Sequence, residues 1–179
     1  MSPIASVTVI GIGNPYRRDD GAASKVVARL ADRWGDDARV RLLELDGEST
    51  RVVQAWEGSS TVWIVDAVRS GRVAGTVHEV DARRLGDLED SGARIGGGHL
   101  LGLGEAVDLA RVLDRLPAEL RILGIEGVDF GEGEGLSEAV AVGVEVATDL
   151  LHRELVAAFG APAGRSGVSA DAGEQFTDR

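Results

Sequence analysis

Carboxylate side chains and one histidine stand where apolar runs of this sequence end or where a glycine-rich segment leads into a helical pattern. These residues are Asp19, Asp20, Asp46, Asp66, His99 and Glu126. Asp19 or Asp20 could combine with Asp66 and His99 to give two carboxylates and an imidazole from separate segments. Such an oxygen, oxygen, nitrogen ligand set suits a borderline divalent metal such as nickel or zinc.

Each of these residues also has an explanation that involves no chemistry. An aspartate just before a helical pattern is most often a helix N-cap, which is the simplest role for Asp19 or Asp20. Asp46 and Asp66 end apolar runs, where aspartate often accepts a hydrogen bond from its own backbone in a turn. A single histidine in a glycine loop is usually solvated. The chemical interpretation therefore depends on whether the fold brings the groups together.

Short apolar runs alternate with helical patterns along most of the chain. The runs SVTVIG, VRLLELDG and STVWIVDA are separated by one strongly and one weakly helical segment. This alternation is typical of a mostly parallel sheet, in which ligands bind at the carboxyl ends of the strands near the point where strand order reverses. GTVHEVDA predicts an edge or antiparallel strand, and ELRILGIEG predicts the last core strand. The candidate residues therefore fall at one predicted rim.

The chain length suits one α/β domain, which we expect over residues 1–160. Its last helix is predicted to begin after Ser137 and to end at Phe159. The polar, glycine-ended segment from Arg83 to Gly98 predicts a mobile loop, and residues 161–179 predict a disordered tail. The start of the chain has no basic region before its apolar run, and no apolar stretch is long enough to span a membrane, so we expect a cytoplasmic protein.

Composition and missing motifs exclude several classes of function. The net charge of −11 disfavours a nucleic-acid partner, and the absence of cysteine excludes a thiolate metal site and a cysteine nucleophile. The GxG of the first loop lacks the third glycine of the dinucleotide fingerprint, because Tyr16 stands in its place. Phosphate-loop, zincin and serine-hydrolase motifs are also absent from the sequence.

Five segments resemble the hydrogenase maturation proteases, the endopeptidases that trim the C-terminal extension from the large subunit of nickel-iron hydrogenases. They are VIGIGNPYRRDDGAASKVVARL, LELDGEST, WIVDAVRSG, GGHLLGLGEAVDLARVL and LGIEGVDFGEGEGLSEAV. Their order and approximate spacing are those of the family. The resemblance covers about Val7 to Leu151, and the motifs are specific as a set rather than one by one.

The resemblance implies a three-layer α/β/α sandwich around a twisted, mostly parallel sheet, phosphorylase/hydrolase-like in type. It implies that Asp20, Asp66 and His99 are the catalytic, metal-contacting residues, which leaves Asp19 as the helix cap. The implied metal is nickel, already inserted in the partner protein, a hydrogenase large-subunit precursor. No nucleic acid or membrane partner is expected. One departure is the family's Asp-Gly-Gly-Thr turn, where Glu48 takes the place of the second glycine.

Two other functions stay open at this stage. A non-catalytic nickel-binding maturation factor could use the same three ligands. Peptidyl-tRNA hydrolases begin with a similar strand and Gly-Asn-Pro turn, but they need a catalytic histidine shortly after that loop. Here the corresponding stretch is RRDDG and no histidine precedes His78, so this alternative is the weaker one.

Overall fold

The computed structural model describes residues 7–82 and 98–163. Five strands and four α-helices follow one another in the described parts of the chain, and a short 3-10 helix, Arg18–Gly21, precedes the first α-helix. None of the described helices combines the length and apolar character that a membrane span needs. The elements are β1 (Val7–Ile12), α1 (Ala22–Trp34), β2 (Val40–Leu45), α2 (Ser49–Trp56), β3 (Thr61–Val68), β4 (Val77–Asp81), α3 (Gly98–Val112), β5 (Glu119–Glu126) and α4 (Glu138–Phe159).

The strands form one mixed sheet in the order β2-β1-β3-β5-β4. All neighbouring pairs are parallel except β4 and β5, which are antiparallel. The mostly parallel sheet and the antiparallel edge strand were both predicted from the sequence. The chain passes from β1 to β2 on one side and then to β3 on the other, so strand order reverses between β1 and β3. This is the position at which such sheets bind ligands.

Both faces of the sheet are buried under helices. Val9, Val65 and Leu123 point to the face that α1 and α4 cover, in a core that includes Trp34. Alternate residues of the same strands, such as Ile64, point to the face that α2 and α3 cover. Successive side chains of a strand point to opposite faces, so a strand buried on both faces is apolar throughout. The predicted three-layer α/β/α sandwich is confirmed.

The prediction that Asp19 caps α1 is wrong. The helix begins at Ala22, Gly21 occupies the N-cap position, and no side chain makes a capping hydrogen bond there. The physical reason is the 3-10 turn that precedes the helix. Because of this turn, Asp19 lies too far before α1 to accept from the unpaired N–H groups of its first turn. The carboxylate of Asp19 instead contacts the loop after β5.

The other predicted boundaries fall close to those observed. Ser137 lies at the N-cap of α4, and that helix ends at Phe159, as predicted. The predicted mobile loop lies outside the described residues over 83–97, and so does the predicted tail over 164–179. In the first residues of that predicted tail, which the structure does describe, the N–H of Ala163 donates a hydrogen bond to Asp37 Oδ2 at 3.2 Å. The chain is therefore tied to the domain up to that residue.

Candidate active site

Glycines of the first loop allow three backbone segments to pack closely at the carboxyl end of β1. A Cβ at Gly13 would lie 2.1 Å from the carbonyl oxygen of Asp20, and one at Gly21 would lie 3.0 Å from the Cα of Pro15. A Cβ at Gly11 would lie 2.8 Å from a methyl of Val27 in α1. These glycines permit close approach of chain to chain, rather than approach of a phosphate, and they hold Asp20 against the end of the sheet.

Asp20 and Asp66 lie together, one on each side of the point where strand order reverses. Asp66 pairs in register with Ile12, the last residue of β1, and it points to the face covered by α2 and α3. Asp20 is 2% exposed and Asp66 is 1% exposed. The backbone N–H of Asn14 donates to Asp20 Oδ2 at 3.1 Å. Two buried carboxylates from separate segments thus meet at the predicted rim, close enough for the charge of Asp20 to act on Asp66.

Burial raises the pKa of Asp66 well above its ordinary range, and the negative charge of Asp20 raises it further. A hydrogen bond with the backbone of Ala67 opposes this change but does not offset it. Two carboxylates held together away from water resist ionising together, unless a cation or a proton lies between them. The site is therefore suited to accept a positively charged group.

Asp19, the neighbour of Asp20, is fully buried and accepts four hydrogen bonds. Its Oδ2 accepts from the backbone N–H groups of Val128 at 3.0 Å and Asp129 at 2.8 Å. The backbone N–H of Ser137 donates to Oδ1 at 2.7 Å, and the Ser137 hydroxyl donates to Oδ2 at 3.1 Å. Asp19 therefore ties the 3-10 helix that carries Asp20 to the loop after β5.

Glu126, at the end of β5, is a second buried carboxylate with a positioning role. It is 2% exposed and accepts hydrogen bonds from the backbone N–H groups of Ser70, Gly71 and Arg72 at 2.8 to 3.2 Å. The Ser70 hydroxyl donates to its other oxygen at 2.7 Å. Glu126 thus fixes the turn that follows β3, four residues after Asp66. The sequence placed Glu126 at the rim but carried no signal of these contacts.

Asp46 has the turn role that its position at a strand end suggested. It is exposed, its Oδ1 accepts from the backbone N–H of Glu48 at 3.3 Å, and its Oδ2 forms an ion pair with Arg51 at 3.0 Å. Glu48, the residue that departs from the family turn, caps α2, because its side chain accepts from the backbone N–H groups of Thr50 and Arg51. Neither acid lies in the buried carboxylate pair.

The histidines differ in how far the structure describes them. His99 belongs to the first turn of α3 rather than to the approach to that helix, and its side chain lies outside the described side chains. His152 accepts a hydrogen bond from Trp34 Nε1 at 3.0 Å. His78 lies in the edge strand β4, and burial, together with the charge of Arg72, lowers its pKa.

Among the described side chains, no group of three His, Asp or Glu residues is arranged to hold a metal ion. The structure therefore brings two of the three predicted ligands together, Asp20 and Asp66. It puts the backbone of His99 at the start of a helix that covers the same face of the sheet as Asp66, since Leu103 of that helix packs in the second core. The predicted ligand set stays a prediction.

Comparison with known proteins identifies the family. The family model for hydrogenase maturation protease matches residues 24–154. The hydrogenase expression/formation protein HupD of Rhodobacter capsulatus is 28% identical over 150 residues, which are 83% of this chain and 70% of that protein.

Solved structures share the fold. The NiFe hydrogenase maturation protease HybD from Thermococcus kodakarensis is similar, with a TM-score of 0.68 and 26% identity over 83% of this chain and 97% of that one. The hydrogenase maturating endopeptidase HybD from E. coli has a TM-score of 0.72 and 20% identity, over 86% and 93% of the two chains. The predicted enzyme class, a hydrogenase maturation endopeptidase, is confirmed. The chain thus belongs to the hydrogenase maturation protease family.

Proposed function

We propose that this protein is the endopeptidase that removes the C-terminal extension of a nickel-loaded hydrogenase large-subunit precursor, with the nickel as its recognition element. The observation that carries the proposal is the buried pair of carboxylates, Asp20 and Asp66, at the carboxyl edge of a maturation-protease fold. A site of this kind attracts a divalent cation, and the substrate of such a protease is a metalloprotein precursor.

The chemistry of the pair fits nickel supplied by the substrate. In the free protein the pKa of Asp66 is raised, first by burial and then by the charge of Asp20. A cation at the pair would remove this repulsion, so both carboxylates could ionise and bind it. Carboxylate and imidazole ligands suit a borderline metal, and we assign the third ligand to His99. The residues present therefore favour nickel over a metal that needs thiolates.

Three protein ligands would leave coordination positions for the precursor's own groups. Affinity for free nickel would then be modest, and tight binding would need the nickel-loaded precursor, so an unloaded precursor would be rejected. When bound in this way, nickel would supply the chemistry that peptide hydrolysis needs, since a bound metal ion can polarise a carbonyl and lower the pKa of water. The role of this protein would be to hold the metal beside the carboxylate pair, and with the metal the scissile bond.

The experiment is cleavage of a purified precursor, prepared with and without nickel and followed by mass spectrometry for loss of the C-terminal peptide. We expect cleavage of the nickel-loaded form alone. Asp66→Asn and Asp20→Asn should each lower the rate at least about 100-fold, since losing a residue that merely orients a metal ligand already costs about 10- to 100-fold. Asp46→Asn is the matched control, because Asp46 lies directly after β2 but is exposed and lies outside the pair.

The results separate the protease from the non-catalytic alternative. A protein that binds the nickel-loaded precursor but never shortens it would be a nickel-binding maturation factor instead. Full activity of Asp66→Asn, with a thermal unfolding midpoint like that of the unaltered protein, would show that the site is misassigned. Asp66→Asn should fold well, because it removes a buried like charge rather than a packed apolar group.

A further inference from the structure

Two exposed arginines lie close in sequence to the two buried carboxylates. Arg17 precedes Asp20 by three residues, and Arg69 follows Asp66 by three residues. Phe130, in the loop after β5, contacts both of them. Arg17 Nη2 donates to the Phe130 carbonyl at 3.4 Å, and the Arg69 guanidinium carbon lies 4.8 Å from the centre of the Phe130 ring. One residue thus gathers two positive charges from separate loops.

Phe130 is itself held in place. Its ring packs over Gly127, where a Cβ would lie 2.5 Å from Phe130 Cζ, and it is partly buried against the core under α1 and α4. The loop that carries it is tied to the 3-10 helix by the buried carboxylate of Asp19. The two arginines therefore rest on a fixed support rather than on a free loop.

Neither arginine is neutralised by an acid within the described residues. No carboxylate of those residues lies within 4.0 Å of Arg17 or Arg69, whereas Arg18 has Asp129 at 3.5 Å. Glu132 and Glu134, which are exposed in the loop after β5, form no ion pair with either arginine. The chain carries a net charge of −11, so acids are not scarce. Two guanidinium groups that contact one residue, with no ion-paired acid among the described residues, present a local positive charge that an anion can neutralise.

We propose that Arg17 and Arg69 form a carboxylate-binding clamp for the C-terminal extension of the precursor, a role that rests on the proposed function. The planar guanidinium group binds carboxylate through two parallel hydrogen bonds, and both arginines keep N–H donors beyond their contacts with Phe130. Tyr16 and Val128, which are 67% and 59% exposed, offer apolar contacts beside the clamp. The extension would then be held next to the carboxylate pair.

The test is the double variant Arg17→Gln/Arg69→Gln, with Arg33→Gln/Arg153→Gln as its matched control. The control removes the same charge from exposed arginines of α1 and α4 that form no ion pair among the described residues. For cleavage of the nickel-loaded precursor, we expect the clamp variant to raise KM about 10- to 100-fold, since a hydrogen bond to a charged group contributes about 1.5–3 kcal/mol. Its kcat should change less than about threefold, and the control should match the unaltered protein.

Two altered precursors identify the source of the carboxylate. One has the acidic side chains of the extension replaced by amides, and the other has its C-terminal carboxylate amidated. The alteration that raises KM for the unaltered protein but not for the clamp variant marks the group that the arginines bind. An unchanged KM in the clamp variant would overturn the clamp while leaving the protease intact.

Failure of the proposed function has a different signature, because the unaltered protein would then cut no precursor at all. In that case the same two double variants are compared for precursor binding by surface plasmon resonance. Equal binding by the clamp variant and its control would overturn the clamp, and selective loss of binding by the clamp variant would support it.

Discussion

Asp19→Asn should destabilise the protein through the loop after β5 rather than through α1. In the folded chain the Asp19 carboxylate accepts from three backbone N–H groups and one hydroxyl, all in residues 128–137. An asparagine has almost the same shape, but one of its two positions is an N–H₂ group that cannot accept. The change therefore removes acceptors while it leaves the packing almost intact.

The magnitude follows from the number of donors. Oδ2 accepts three of the four hydrogen bonds and Oδ1 accepts the one from the backbone of Ser137. Whichever way the amide turns, at least one N–H donor faces the N–H₂ group and has no acceptor, which costs about 1–3 kcal/mol. The hydrogen bonds that remain also lose their charged partner. We expect the free energy of unfolding to fall by about 2–4 kcal/mol. That is a large share of the stability of a typical domain, about 5–15 kcal/mol.

The effect should also depend on pH. Burial would raise the pKa of Asp19, but hydrogen bonds from the backbones of Asp129, Ser137 and Val128 and from the Ser137 hydroxyl outweigh burial and lower it. A group with a lowered folded pKa contributes all of its stability above the pKa of the unfolded chain, about 4, and loses it as the pH falls toward the folded value. The difference in free energy of unfolding between the unaltered protein and Asp19→Asn should therefore become smaller below about pH 4.

Urea unfolding at pH 7 and at pH 3.5 measures both effects. Asp149→Asn is the matched control, because Asp149 is exposed on α4, and it should stay within about 0.5 kcal/mol of the unaltered protein. Two results would refute the assignment of Asp19 as the anchor of this loop. One is an Asp19→Asn protein as stable as this control at pH 7, and the other is a larger difference in free energy of unfolding from the unaltered protein at pH 3.5 than at pH 7.

Two further predictions concern other buried contacts. Asp37 is buried, and hydrogen bonds from Arg39 hold the pKa of Asp37 far below its ordinary range. The contribution of Asp37 to stability is therefore complete above about pH 4 and is lost at lower pH. Urea unfolding of Asp37→Asn should show a smaller decline below about pH 4 than the unaltered protein, and an equal decline would contradict this. Gly13→Ala should abolish precursor cleavage, because its Cβ would meet the backbone of Asp20. Gly160→Ala is the control for the strain of a positive φ, because Gly160 has φ +78° but no atom within 4 Å of its Cβ, and this variant should stay active.

Much of the fold could be predicted because its signals are local. The apolar runs of β1, β2 and β3 and the helical patterns between them follow from residue type and period alone. The mixed pattern of GTVHEVDA likewise predicted an edge strand, now seen as β4 in antiparallel pairing with β5. Helix starts were harder to predict, since a 3-10 turn before α1 moved the cap from Asp19 to Gly21.

The sequence by itself determined the three-layer fold class and the set of rim residues that includes Asp20 and Asp66. By residue type and local pattern alone, adjacent acids such as Asp19 and Asp20 look equivalent, because their roles depend on partners more than 40 residues away. The family resemblance had given Asp20 its place beside Asp66, but only the tertiary structure decided that Asp19 binds the loop after β5 instead of capping α1. Contacts between distant segments also gathered Arg17 and Arg69 around Phe130, and no local pattern encodes such contacts.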